Sequence, residues 1–215
     1  MKLLLCYVTD RHLLAEPPLL AEQIARAVGA GIDWIQIREK DLSARELLEV
    51  AQAAVKVAAA SPGSNATRII INDRLDVALA AGAGGVHLGE ASMTVAAVSA
   101  WRNAAIVGNA ALKNFLIGAS CHSVESVRAA ERDGADYVIF GPVFATPSKE
   151  KLGAPHGINR LAEASKAVRI PVLAIGGITE ENARECFAAG AAGIAAIRMF
   201  SGERDLAAIV GRLRD

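Results

Sequence analysis

The chain has 215 residues, 53% of them hydrophobic, and its 23 Lys and Arg balance 23 Asp and Glu to a formal net charge of zero. That length and apolar content suffice for one large core, and the charge balance argues against a nucleic-acid or polyanion-binding surface, leaving room only for a local basic pocket. Cysteines at positions 6, 121 and 186 form no CxxC or other metal spacing and are odd in number, so they predict reduced thiols and a cytoplasmic setting, not a disulfide framework.

The first ten residues are an apolar, strand-length run with no basic n-region or extended apolar stretch, so they read as a strand and not as a signal peptide. No run reaches transmembrane length, and no membrane partner is expected. From there short β-rich runs alternate with Ala-rich helical stretches. The predicted strands are Leu3 to Val8, Trp34 to Ile37, Arg68 to Ile71, Gly85 to Leu88, Phe115 to Gly118, Tyr137 to Phe140, Val172 to Ala174 and Gly193 to Ile197. Between them, Ser43 to Ala60, Val124 to Asp133 and Glu180 to Ala189 carry apolar residues at helical spacing with Ser or Thr near their starts, where a side-chain cap satisfies free amides. Gly31, Gly82, Gly134 and Gly190 fit helix C-caps. A Gly-Ala turn before a strand recurs at Gly82-Ala83, Gly134-Ala135 and Gly190-Ala191, and no linker divides the chain. The expected architecture is α/β, a single (β/α)8 TIM barrel spanning residues 1–215 as one domain.

In such a barrel the site is built from the loops after the C-terminal strand ends. Those positions are polar here. The first strand ends in Thr9-Asp10 and the second in Gln36-Ile37-Arg38-Glu39-Lys40, where alternation points Gln36, Arg38 and Lys40 to one side. Two cations and an amide facing the barrel call for an anion, because burying them unpaired is costly. The third strand finishes in Asn72-Asp73. Asp73 suits a hard cation or a substrate amine, whereas Asp76 suits a first-turn helix acid equally well. His87 reads first as a satisfied core histidine and second as a catalytic one. After the fifth strand comes Ser120-Cys121-His122-Ser123, with His122 in a loop where proton transfer reaches substrate and Ser123 as an N-cap. Adjacent Cys121 and His122 cannot readily face each other, which discounts covalent catalysis. The sixth strand runs into Gly141-Pro142-Val143-Phe144-Ala145-Thr146-Pro147-Ser148-Lys149, a loop whose hydroxyls and ammonium suit an anion. Gly176-Gly177 and Ile197-Arg198, after the last two strands, occupy the recurrent phosphate site of this fold.

Taken in order, Tyr7-Val8-Thr9-Asp10, Gln36-Ile37-Arg38-Glu39-Lys40, Asn72-Asp73, Val86-His87-Leu88-Gly89, the loop from Gly141 to Lys149 and Ala174-Ile175-Gly176-Gly177-Ile178 resemble the thiamin phosphate synthase/TenI superfamily across nearly the whole chain. The resemblance implies a β/α barrel acting in thiamin biosynthesis, with a thiazole phosphate held by Gly176, Gly177, Ile197 and Arg198. Two activities occur in that superfamily. A synthase joins hydroxymethylpyrimidine pyrophosphate to the thiazole phosphate with Mg2+ on two aspartates; the first matches Asp73, and the second falls where this chain has Glu90-Ala91-Ser92. Gln36, Arg38, Lys40, Asn72, Ser120, Thr146, Ser148 and Lys149 match its substrate side. Ser92, Gly84 in place of an aspartate, Arg198 in place of a small serine, and the loop running on to Gly153-Ala154-Pro155-His156-Gly157 are more similar to TenI-type members. That similarity implies a thiazole tautomerase needing no metal, with His122 and Lys149 as its catalytic residues. The first expectation is therefore a tautomerase, the second a Mg2+-dependent synthase using Asp73 with Glu90 or Ser92, and the third a non-catalytic regulator that binds thiazole phosphate. A sugar-phosphate isomerase or aldolase ranks last. The expected partner is a small-molecule phosphate; a homo-oligomer is left open.

Overall fold

Eight strands hydrogen-bond in sequence order and close on themselves, each parallel to its neighbours, with the first paired to the last. In the computed structural model, which describes residues 3–14, 19–61, 67–146, 154–202 and 205–215, they are β1 (Leu4–Val8), β2 (Trp34–Ile37), β3 (Arg68–Asn72), β4 (Gly85–Leu88), β5 (Leu116–Cys121), β6 (Tyr137–Phe140), β7 (Val172–Ile175) and β8 (Gly193–Ala196). The helices α1 (Leu19–Gly29), α2 (Ala44–Ala60), α3 (Leu75–Ala80), α4 (Val95–Ala105), α5 (Val124–Arg132), α6 (Gly157–Ala167), α7 (Ala183–Ala188) and α8 (Leu206–Arg214) alternate with them. This is the expected (β/α)8 barrel. No helix among the described residues is long and apolar enough to cross a membrane.

Two differences from the sequence expectation have local causes. The fifth strand continues to Cys121, because Ser120 and Cys121 still pair with Ile139 and Phe140 of β6. Ser120 is therefore a strand residue and not a loop residue. The seventh helix begins at Ala183 and not Glu180, because Thr179 and Asn182 hydrogen-bond across a turn: the Thr179 N–H donates to Asn182 Oδ1 at 2.8 Å.

Helix faces follow the apolar spacing. In α2, Leu47, Ala51, Ala54 and Ala58 are buried at intervals of three and four, and Ser43 closes a capping box with Glu46. The αβ turns then share one device. Gly31, Gly82, Gly134 and Gly190 all have positive φ, and the residue after each donates its N–H five residues back, as Ala83 does to the Ala78 carbonyl. That is the Schellman ending, which needs a residue without Cβ strain in the left-handed region.

The position two residues beyond that glycine shows what the N-terminal face requires. Asp33 accepts the Leu5 N–H and Asp136 accepts the Ile117 N–H, each carboxylate tying the start of a neighbouring strand. The equivalent residue in the turn at Gly82 is Gly84, where a Cβ would collide with Arg68 Cγ. Gly84 thus belongs to the face opposite the strand C-termini, where conservation of side-chain type concerns packing and not chemistry. Placed there, away from the strand C-termini, Gly84 does not distinguish a tautomerase from a synthase. Gly84→Ala is expected to lower stability by about 1–3 kcal/mol through overpacking, read as a lower thermal midpoint with unchanged turnover.

Inside the barrel, Cys6, Val8, Ile70, Tyr137, Ile139, Leu173 and Ala195 form a core distinct from the outer strand-helix core. Trp34 and Tyr137 rings lie 4.6 Å apart, and a Cβ on Gly118 would occupy the Tyr137 ring. These residues plug the interior, so a site on the barrel axis opens at the C-terminal mouth. The three thiols are free and buried.

Candidate active site

An ordered chain of amides lines the mouth at β2 and β3. Asn72 Nδ2 donates to Asp73 Oδ2 at 2.9 Å, and Gln36 Nε2 donates to Asn72 Oδ1 at 3.0 Å. The carboxylate fixes both amide orientations, since an ionised carboxylate only accepts. Asn72 must turn its NH2 to Asp73 and its oxygen to Gln36, so Gln36 must turn its own NH2 to Asn72. Gln36 Oε1 is left over, buried and without a hydrogen-bond partner among the described residues. An unpartnered buried acceptor costs about 1–3 kcal/mol, so this atom is poised for a ligand that donates.

Asp73 sits at φ 62, the one described non-glycine residue in the left-handed region. Strain of that kind collects at functional sites. Its Oδ1 accepts from the Ser92 hydroxyl and from the Gly89 N–H at 3.3 Å, while Gly89 also donates to Ser92 Oγ at 2.6 Å. One main-chain amide therefore gathers two hard oxygens at one point. Glu90 lies nearby in sequence but is exposed, and no cluster of three His, Cys, Asp or Glu suited to a metal occurs among the described residues. Mg2+ takes one or two carboxylates and fills its shell from water and phosphate oxygens. The oxygen-only pair of Asp73 and Ser92 fits that requirement. Asp76, exposed and paired with Arg74 at 2.5 Å, is a structural first-turn acid.

The expected grouping of Gln36, Arg38 and Lys40 is only partly observed. Alternation stops with β2 at Ile37, so Gln36 faces the interior, Arg38 is half-buried and Lys40 is exposed beside a separate cavity of about 230 Å³ that also touches Asn72 and Asp73. Neither cation has an acidic partner among the described residues. Between them Glu39 turns away and is buried, accepting from Thr9 Oγ1 at 2.6 Å and from the Arg11 N–H at 3.2 Å. Nothing in the local sequence marks this anchor, because Thr9 and Glu39 are thirty residues apart and meet only where the ends of β1 and β2 lie side by side.

His87 is buried, as the core reading expected, and burial pushes its pKa down to about 4, so it is neutral. Its Nδ1 meets Tyr137 OH at 3.1 Å and its Nε2 meets Ser120 Oγ at 2.9 Å. His122 stands past β5, half-buried, with Nδ1 donating to the Gly141 carbonyl, and its ring lies 6.2 Å from that of His156. Since a carbonyl only accepts, Nδ1 is the donor in this bond, and Nε2 has no hydrogen-bond partner among the described residues.

On the opposite wall, a cavity of about 530 Å³ opens between the β6, β7 and β8 ends, lined by Pro142, Thr146, Gly176, Gly177, Ile197 and Arg198 among others. Gly176 and Gly177 have φ 98 and 64, and both pack against the loop after β6. The main-chain N–H groups of Gly176, Gly177 and Arg198 donate to no described residue, and Arg198 is exposed without an acidic partner among them. Open amides beside a guanidinium suit a phosphate. Ser148 and Lys149 lie outside the described residues.

Comparison with known proteins gives a consistent result. The sequence model of the family described as thiamine monophosphate synthase matches residues 5–200. The thiamine-phosphate synthase of Methanoculleus marisnigri is 44% identical, covering 88% of this chain and 83% of the relative. That of Chlorobium luteolum is 42% identical, covering 90% and 83%. Among solved structures, the thiamine phosphate pyrophosphorylase of Pyrococcus furiosus superposes with a TM-score of 0.79 at 34% identity, covering 99% of this chain and 94% of that one. These likenesses overturn the expectation of a TenI-like tautomerase, and of an isomerase, in favour of the transferase alternative. The residues that favoured the tautomerase do not oppose the correction: Gly84 is on the wrong face, and Ser92 keeps an oxygen against Asp73.

Proposed function

Because the chain belongs to the thiamine monophosphate synthase family, we propose that it is a thiamine-phosphate synthase, a transferase that joins hydroxymethylpyrimidine pyrophosphate to a thiazole phosphate and releases pyrophosphate. The observation that carries the reading is the amide chain ordered by Asp73, which ends in the unpartnered Gln36 Oε1. An aminopyrimidine supplies the donor that this oxygen lacks.

In the reaction the bond between the pyrimidine methylene and the pyrophosphate oxygen breaks, the electron pair leaving with pyrophosphate, and the thiazole nitrogen lends its lone pair to form the new C–N bond. Gln36 and Asn72 would hold the pyrimidine edge at the mouth. Arg38, Lys40, Ser120, Thr146, Ser148 and Lys149 would bind the pyrophosphate, and the two cations near β2 favour the charge that grows on it as the bond breaks. Gly176, Gly177, Ile197 and Arg198 would seat the thiazole phosphate on the far wall, so the two reactants meet over the barrel axis. Asp73 and Ser92 would hold Mg2+, with Glu90 as a flanking acid; when bound, the ion neutralises the departing pyrophosphate. The three buried thiols support a cytoplasmic location.

The coupling needs no proton shuttle at His122, whose bonded nitrogen instead props the loop that starts at Gly141. His122→Asn keeps a side-chain donor and is expected to retain thiamin phosphate formation within about tenfold, the scale of one hydrogen bond. Steady-state assay of that variant checks the reading. Complete loss of coupling in a folded variant would count against it.

A further inference from the structure

Beneath the mouth lies a buried hydrogen-bond chain that none of the residues assigned above explains. Tyr137 and His87 are 0% and 2% exposed, whereas Ser120, at the end of β5, is partly open to the mouth. Tyr137 OH meets only His87 Nδ1 among the described residues, and His87 Nε2 meets only Ser120 Oγ. The position of the phenol is set by the barrel itself: Gly118, two residues before Ser120 and so on the same face of β5, leaves the room its ring fills.

A neutral imidazole allows two arrangements. In one, Nδ1–H donates to the phenol oxygen and the Ser120 hydroxyl donates to Nε2; the phenol proton then has no acceptor. In the other, the phenol donates to Nδ1 and Nε2–H donates to Ser120 Oγ. Only the second satisfies every buried donor, and a buried donor left unmade is the larger cost. It also has a consequence for the mouth. With Oγ already accepting from the ring, the Ser120 proton is free to point outward.

We propose that His87 and Tyr137 are positioning residues that act through Ser120, fixing its hydroxyl as a donor toward an anionic phosphate oxygen bound at the mouth. The barrel interior thereby sets the polarity of one ligand contact, so that Ser120 favours an oxyanion over a ligand that itself donates. The inference rests on the synthase reading for the identity of that ligand, pyrophosphate, but not for the order of the hydrogen bonds.

Nitrogen-15 NMR of the labelled wild-type protein reads the order directly. The expected spectrum has the proton on His87 Nε2 and a bare Nδ1; a proton on Nδ1 overturns the proposal. Calorimetric titration with inorganic pyrophosphate in the presence of Mg2+ then reads the contact. Tyr137→Phe removes the donor that enforces the arrangement and is expected to weaken pyrophosphate about threefold to tenfold, the scale of one hydrogen bond. In a Ser120→Ala background the same substitution is expected to change nothing, and an equal loss in both backgrounds overturns the relay, because a merely structural role for Tyr137 would act whether or not Ser120 is present. A wild-type protein that shows Nε2 protonated yet binds no pyrophosphate sinks the synthase reading and leaves the hydrogen-bond order standing.

Discussion

Replacing Asp73 by asparagine is expected to lower kcat/KM for thiamin phosphate formation by roughly 10²- to 10³-fold, the scale seen when one charge-stabilising group is removed. Two independent losses combine at this residue. The charge that would hold Mg2+ is gone, and the amide chain loses the acceptor that orders it. An asparagine must turn its NH2 either toward Asn72 Nδ2 or toward the Gly89 N–H, each of which already donates to position 73. Facing donors would let Asn72 flip, and Gln36 with it, which turns an NH2 where the structure holds Oε1. The pyrimidine site is therefore expected to suffer together with the metal site: KM for the pyrimidine substrate rises while kcat falls. Steady-state kinetics with each substrate varied checks both. A change confined to the Mg2+ requirement would show that the amide order does not matter.

Gly177→Ala is expected to raise KM for the thiazole phosphate at least tenfold and to cost stability of about 1–3 kcal/mol, the usual cost of a strained non-glycine backbone. At φ 64 the added methyl would meet the Ala145 carbonyl oxygen and stand 2.8 Å from Phe144 Cβ, both in the loop after β6. That loop is already tied to the β7 end, since Val143 N–H donates to Ile175 O and Phe144 N–H to Gly176 O. Backbone has little room to yield here, so the glycine turn and the loop must separate, and both line the cavity that would take the phosphate. The pyrimidine side should be spared, because Gln36, Asn72 and Asp73 stand on other strands. Thermal melting reads the first effect, and a KM rise for one substrate only reads the second. Wild-type affinity for the thiazole phosphate would remove Gly177 from the phosphate site.

Local rules made most of the barrel legible. Gly82, Gly134 and Gly190 announce helix ends because the Schellman turn needs positive φ, and four-residue apolar runs such as Tyr137–Phe140 announce strands buried on both faces. Gln36 and Asn72 are readable as mouth residues because they stand at the C-terminal ends of short strands. What sequence spacing does not carry is the direction of a side chain once the strand has ended, which is why Lys40 parts from Gln36 and Arg38. Nor does it carry contacts across the barrel: His87 meets Tyr137, fifty residues away, only through closure of the sheet. Ser92 misled for a related reason. As a bare substitution it looks like a lost metal ligand, and only the turn at Gly89 shows its oxygen brought to Asp73. Gly84 misled in the opposite way, since its spacing cannot tell the chemical face of a barrel from the packing face.

The proposed reaction couples two phosphorylated substrates at this mouth with the help of a metal that Asp73 and Ser92 would hold. The most direct test is one incubation of the wild-type protein with hydroxymethylpyrimidine pyrophosphate and thiazole phosphate, with Mg2+ or with a chelator in its place. Thiamin phosphate and pyrophosphate are expected in equal amounts with Mg2+, and neither with the chelator. No thiamin phosphate in the presence of Mg2+, or equal yields with and without it, would rule out a Mg2+-dependent synthase.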